Sequence, residues 1–421
     1  MLEQVYALDN TDIYSFVNPD LKGFCLSLYI RAGSLFEADS ENGISHFFEH
    51  IVFRNLKRKY PRFYELLAMH GLDLQGCTYK EFIRFTLNGP SGEFGFASDI
   101  LCSLFDEIKL NSDEFNNEKK RIKAEIREKD YRNTLDFCFN SLVWRGTPAE
   151  KTVLGYCKVL DGITVKKINE FRKRILSAGN FFVYVTGNVS QSDIEGLKQK
   201  VKSLDMCEEK TGYTNTVQVN AGFFNRNCSI KVKNDYWHYI KIGFDIDCRK
   251  YPGGALDLLY AVLFKGDKAL LHNYLSEDNP IIYSFESTLE QYDNIGNINF
   301  MFEVGKDKIL SAVKAVVDAL NAVKNGKFNF EANLFSEKTY TCIEQDNPDN
   351  LNWSLAYYNH ILKTQPIDYS DENYGRYNVT KQQVMQAAED IFRTCNMSVA
   401  VKGEKKNIKI NDIQASLKLL D

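Results

Sequence analysis

The stretch Gly43-Ile44-Ser45-His46-Phe47-Phe48-Glu49-His50-Ile51 places His-x-x-Glu-His inside an apolar helical pattern. On a helix, residues three and four apart share a face. His46 and His50 can therefore grip one zinc ion between them. Glu49 stands next to His50 and three residues after His46, where a carboxylate can take a proton from water at that ion. Such an arrangement points to hydrolysis.

A catalytic zinc needs a third protein ligand beside its open position. The segment from Asn111 to Arg127 reads as a helix, with Asn111 as N-cap and Glu114 completing a capping box. Glu118 and Glu125 lie seven residues apart in it, about two turns, so both carboxylates share one face with Ile122 between them. Without the upstream histidines, so many Lys and Glu would read as a solvated charged helix.

The order His-x-x-Glu-His is the inverzincin signature. Together with the downstream Glu118-Lys-x-x-Ile122-x-x-Glu125-Ile126 helix, it resembles the pitrilysin/insulinase family of zinc metallopeptidases, which includes the mitochondrial processing peptidases. The resemblance implies one zinc per chain held by His46, His50 and Glu125, with Glu49 as the base that activates water. Glu118 matches the family's auxiliary glutamate and joins Glu49 in the catalytic set, supporting the metal ligands through hydrogen bonds.

Further motifs follow the family's order. Cys25 to Ser34 alternates like a half-buried strand and ends in Ala32-Gly33-Ser34. Leu74-Gln75-Gly76-Cys77-Thr78 stands where the family has an edge strand that pairs with bound peptide, usually written Asn-Ala-x-Thr. Gln75, Gly76 and Cys77 are accordingly the expected substrate-pairing positions, with backbone rather than side chains doing the holding. Val153-Leu154-Gly155, Ile163-Thr164 and Tyr184 to Val189 come next in the same order. In the second half the family supplies an Arg and, seven residues later, a Tyr that contact substrate. Tyr283 is in place, but Ser276 stands at the Arg position and lacks its reach and charge.

Length and composition agree with a two-domain globular protein. The chain has 421 residues, 44% hydrophobic and 26% charged. A net charge of −4 offers no basic field for nucleic acid. With no apolar run of transmembrane length and no basic-then-apolar leader, the expected location is cytoplasmic. The ten cysteines include no Cys-x-x-Cys pair and read as reduced core residues. His70, before Gly71, reads as the end of a helix, and His238, His272 and His360 have no partners at ligand spacing.

The chain also reads as a duplication. Ile163-Thr164 through Arg174 matches Val379-Thr380 through Phe392, and each stretch leads to a strand ending at Gly, Phe182–Gly187 and Met397–Gly403. The expected fold is α+β. Two homologous domains, 1–206 and 226–421 joined by a linker over 207–225, would each carry a largely antiparallel sheet with helices packed on it. The resemblance makes this half of a clamshell that encloses unfolded peptides or precursor leader peptides. It implies a heterodimer with a homologous subunit supplying the Arg-Tyr pair, or otherwise a homodimer. A non-catalytic scaffold or chaperone-like subunit is the alternative, and the intact His46, Glu49, His50 and Glu125 weigh against it.

Overall fold

A computed structural model describes residues 3–9, 11–128, 134–204, 206, 217, 223–363, 367 and 377–420. Most of the expected linker, 207–216 and 218–222, lies outside the described residues, as does Cys207. The strands are β1 (Gln4–Ala7), β2 (Asp12–Val17), β3 (Gly23–Arg31), β4 (Asp73–Thr78), β5 (Phe82–Pro90), β6 (Phe181–Gly187), β7 (Ser229–Asn234), β8 (Tyr239–Asp247), β9 (Phe285–Gln291), β10 (Ile295–Glu303) and β11 (Met397–Gly403). The helices used below are α1 (Ile44–Lys59), α2 (Ser112–Glu128), α3 (Leu135–Val143), α4 (Val165–Ile175), α5 (Gly253–Phe264), α6 (Phe330–Glu344), α7 (Pro348–Leu355) and α8 (Lys381–Ile391).

Two sheets form, in the orders β1-β2-β6-β3-β5-β4 and β7-β11-β8-β10-β9. Apart from β1 the orders correspond strand for strand. In each, one pair is parallel, β2 with β6 and β7 with β11, and the other pairs are antiparallel. The fold is thus α+β with a duplicated topology.

The repeated sequence has a repeated physical cause. Thr164 caps α4 by accepting from the Lys167 amide, and Thr380 caps α8 by accepting from the Gln383 amide. After each helix an asparagine turns the chain into the next strand. Asn180 Nδ2 donates to the Ile175 and Arg31 carbonyls, and Asn396 Nδ2 donates to the Ile391 and Asp245 carbonyls. Both asparagines are 2% exposed, and these bonds satisfy side-chain NH₂ groups that burial would otherwise leave costly.

The compact units are not contiguous in sequence. One comprises 1–130, 151–215 and 343–356, the other 131–150, 216–342 and 357–421. Relative to the division into 1–206 and 226–421, the segments 131–150 and 343–356 change sides. Each carries a helix that covers a sheet face. In the first unit α7 lies on β3 and β6. There Arg84 meets Asp349 at 2.6 Å, Tyr29 donates to Asn352 Oδ1 at 2.9 Å, and Thr186 donates to the Pro348 carbonyl at 2.6 Å. In the second unit α3 packs on β11, β7 and β8, with Lys241 on Asp136 at 2.6 Å.

This exchange corrects the reading of β3 as half-buried. Every residue from Phe24 to Ile30 is buried, because β3 is an inner strand and α7 covers the face that alternation assigned to solvent.

The start of α1 is a tight backbone crossing. Gly43 has φ 94° and Gly155 φ 73°, and a Cβ on Gly155 would stand 2.4 Å from the Asn42 carbonyl oxygen and 2.6 Å from Gly43 Cα. Only glycine satisfies both the left-handed angle and the approach. Gly155→Ala is expected to destabilise the first unit by more than about 1 kcal/mol, read from chemical denaturation.

Candidate metal centre

Helix α1 carries His46 and His50 one turn apart, and α2, with which it packs, brings Glu125 opposite them. The reciprocal capping box that starts α2 is present, with Asn111 Oδ1 accepting from the Glu114 amide and Glu114 Oε2 from the Asn111 amide, both at 2.9 Å. Ile122 is fully buried and turns the carboxylate face of α2 toward α1.

Nε2 of His46 and Nε2 of His50 each lie 3.7 Å from Glu125 Oε2. One potential ligand atom from each of the three residues lies within 4.8 Å of the others, and among the described residues no other group of three or more His, Cys, Asp or Glu converges in this way. Two imidazole nitrogens and a carboxylate oxygen are a zinc-type donor set that leaves a fourth position open. The residues fit a catalytic divalent metal.

Glu118 does not face that point. Its Oε1 lies 2.9 Å from His50 Nδ1, and its Oε2 accepts from Arg54 Nε. A carboxylate on Nδ1 fixes the tautomer and directs Nε2 outward, the usual arrangement behind a ligand histidine. Burial pushes the Glu118 carboxyl up, but the hydrogen bonds and charges of His50 and Arg54 outweigh it and bring it down to about 2. Both Glu118 oxygens are thus engaged by His50 and Arg54, away from the point that His46, His50 Nε2 and Glu125 share.

Glu49 is 9% exposed and has a different environment. Burial pushes its carboxyl above the usual range and the Glu125 charge adds to this, while the Thr78 hydroxyl, donating to Oε2 at 2.7 Å, and His50 oppose it. A carboxylate raised in this way is a better proton acceptor near neutrality.

The strand beside Glu49 is the edge strand β4, with β5 on one side only. Gln75 and Cys77 are exposed on it, and Gln75 donates to Asp73 at 2.5 Å. Gly76 is the point of contact with the centre. A Cβ there would meet Phe53 Cε2 at 2.7 Å and Glu49 Cγ at 3.0 Å, which accounts for glycine where the family pattern has alanine. Tyr283 belongs to the other compact unit, 96% exposed in the turn before β9. Ser276, at the family's Arg position, donates to the Ile282 carbonyl at 3.0 Å and ties down that turn.

Sequence reasoning missed the roles of three supports. Glu37 is 4% exposed and reaches the start of α1, accepting from the Gly43 amide at 2.7 Å, the Ser45 amide at 2.8 Å and Asn42 Nδ2 at 2.9 Å. Arg54 extends the His46, His50 row by one more turn, which periodicity would show to a reader already looking for a partner to Glu118. Gly155 was visible as part of Val153-Leu154-Gly155, but not its contact with Gly43. The nine described cysteines are free thiols. His70 ends its helix as expected and meets Glu93 at 2.7 Å.

Fold and site together define a duplicated α+β protein with a His-His-Glu group, a candidate metal centre, set against an edge strand. Residues 19–155 match the family described as insulinase (peptidase family M16), and residues 162–333 match the one described as peptidase M16 inactive domain. An uncharacterized zinc protease of Rickettsia felis is 23% identical over 398 residues, covering 91% of this chain and 92% of that protein. The probable beta subunit of the mitochondrial-processing peptidase of Arabidopsis thaliana is 25% identical over 181 residues, covering 42% of this chain and 34% of that protein. The crystal structure of a protease from Helicobacter pylori superposes with a TM-score of 0.83 at 18% identity, over 96% of this chain and all of that one. This chain belongs to the insulinase family of peptidases, M16. Among the described residues no helix is long and apolar enough to cross a membrane.

Proposed function

We propose that this chain is a zinc-dependent endopeptidase that cleaves extended peptides, precursor or leader peptides among them, in a chamber completed by a second subunit. The observation that carries this reading is the convergence of His46, His50 and Glu125 beside Glu49 and the edge strand β4. His46 Nε2, His50 Nε2 and a Glu125 oxygen would hold the metal. Zinc bound there supplies a positive charge that polarises the scissile carbonyl and makes water more acidic. Glu49 takes the proton of the attacking water and passes it to the departing amine nitrogen as the C–N bond breaks. The free edge of β4 pairs with the peptide backbone through Gln75, Gly76 and Cys77, so that an extended chain enters and a folded one does not.

A second subunit is supported by Ser276 at the family's Arg position, which leaves Tyr283 alone. Some relatives bear the names of subunits, among them the mitochondrial-processing peptidase beta subunit and cytochrome b-c1 complex subunit 1 of Bos taurus. The expected result is one zinc per chain, removable by chelation, with cleavage of an unstructured peptide library lost and restored with the metal. Cleavage should rise on adding a homologous subunit that carries the Arg-Tyr pair. A purified chain that holds no zinc overturns the enzyme reading. Full activity of the chain alone as a homodimer overturns the need for a different subunit, and full activity as a monomer overturns the second subunit altogether.

A further inference from the structure

His46, His50 and Arg54 are spaced by four along α1 and lie on one face of it. The second and third of these reach the same carboxylate on α2. Glu118, 2% exposed, receives His50 on Oε1 and Arg54 on Oε2. A carboxylate with one partner can rotate about its Cγ–Cδ bond. Two donors, one on each oxygen, fix both its plane and its direction.

We propose that Arg54 is a positioning residue of the metal centre: by holding Oε2 of Glu118, it aims Oε1 at His50 Nδ1 and so aims His50 Nε2 at the point shared with His46 and Glu125. The inference rests on the zinc reading given above.

The competing view is that the pair is a tie between two helices and nothing more. The second unit contains such a tie, with Lys265 at the end of α5 meeting Glu337 of α6 at 2.6 Å and the Glu337 side chain 3% exposed. No group of three metal-ligating side chains converges there among the described residues. What distinguishes the first unit is that the other oxygen of the tied carboxylate is taken by a ligand histidine. Removing Arg54 therefore has a consequence for metal binding that removing Lys265 lacks.

The experiment measures zinc affinity by chelator competition on the full chain, beside the melting temperature of the metal-free protein. Arg54→Met is expected to weaken zinc binding about tenfold, the lower end for a group behind a ligand. Arg54→Lys, which restores a cation, should lose less than the roughly tenfold expected of Arg54→Met. Lys265→Met should lower the melting temperature and leave zinc affinity unchanged. Wild-type affinity in Arg54→Met overturns the inference, and so does an equal loss in Lys265→Met, which would make the effect one of general stability. A wild type without zinc removes the zinc reading and this inference with it, whereas a zinc-binding wild type beside an unaffected Arg54→Met removes this inference alone.

Discussion

Glu49→Gln is expected to bind zinc with wild-type stoichiometry and to cleave an unstructured peptide about 10²- to 10⁴-fold more slowly, the range for loss of a general base. Three other glutamates stand near the centre or its helix, and the geometry excludes each as the base. Both oxygens of Glu118 are occupied, by His50 and Arg54, and its carboxyl is held down at about 2. Glu125 faces the two Nε2 atoms at 3.7 Å, the place of the third ligand in the proposed zinc site. Glu37 is buried under the start of α1. Glu49 alone combines a carboxyl pushed up by burial with a place beside the edge strand. Glutamine keeps its shape and can still accept from Thr78, so the fold and ligands are left in place while the proton acceptor is lost. Metal content and turnover must be read on the same sample. Wild-type turnover by the variant would remove Glu49 as the base. Loss of zinc with loss of turnover would make it a ligand instead.

What could be read in the sequence was whatever local periodicity encodes. A helix puts His46, Glu49 and His50 on neighbouring positions, and a second helix puts Glu118 and Glu125 on one face, so spacing supplied the candidates and the family resemblance chose Glu125 among them. Threonine caps at Thr164 and Thr380 likewise exposed the duplication, because capping is local. The parts that escaped depend on contacts between residues far apart in the chain. Burial of β3 on both faces follows from α7, which lies more than three hundred residues downstream and belongs to the other half by sequence. Segments 131–150 and 343–356 change units for a similar reason: an amphipathic helix declares that it has an apolar face but not which sheet will receive it. Gly76 shows the limit at the site itself. Sequence shows only that glycine replaces the family's alanine, whereas the structure shows Phe53 and Glu49 filling the space a methyl group would need.

Glu37→Ala is expected to cost the first unit about 3 kcal/mol and to weaken zinc binding without touching a ligand. Helix α1 begins at Gly43, which has no side chain to cap its own first amides. Glu37 does this from outside the helix, one oxygen taking the Gly43 amide and the Asn42 side chain, the other the Ser45 amide. Its charge at the positive end of the helix dipole adds to the effect. Alanine would leave three donors without that acceptor in a site where Glu37 is 4% and Asn42 2% exposed, and each buried donor so stranded is penalised by about 1 to 3 kcal/mol before relaxation. Gln should lie between, since its carbonyl can accept one of these bonds while its NH₂ faces another donor. Two compact units need not unfold together, so the relevant transition is the one that zinc shifts. The consequence for function follows from position. His46 is three residues beyond Gly43, so a first turn no longer held against Glu37 moves the ligand row relative to Glu125 on α2. Zinc affinity should therefore fall in Glu37→Ala even at temperatures where the variant is fully folded. An unchanged midpoint for that transition would show that water or another group replaces the carboxylate. A lowered midpoint with wild-type zinc affinity would show that α1 keeps its ligands aligned without its outside cap.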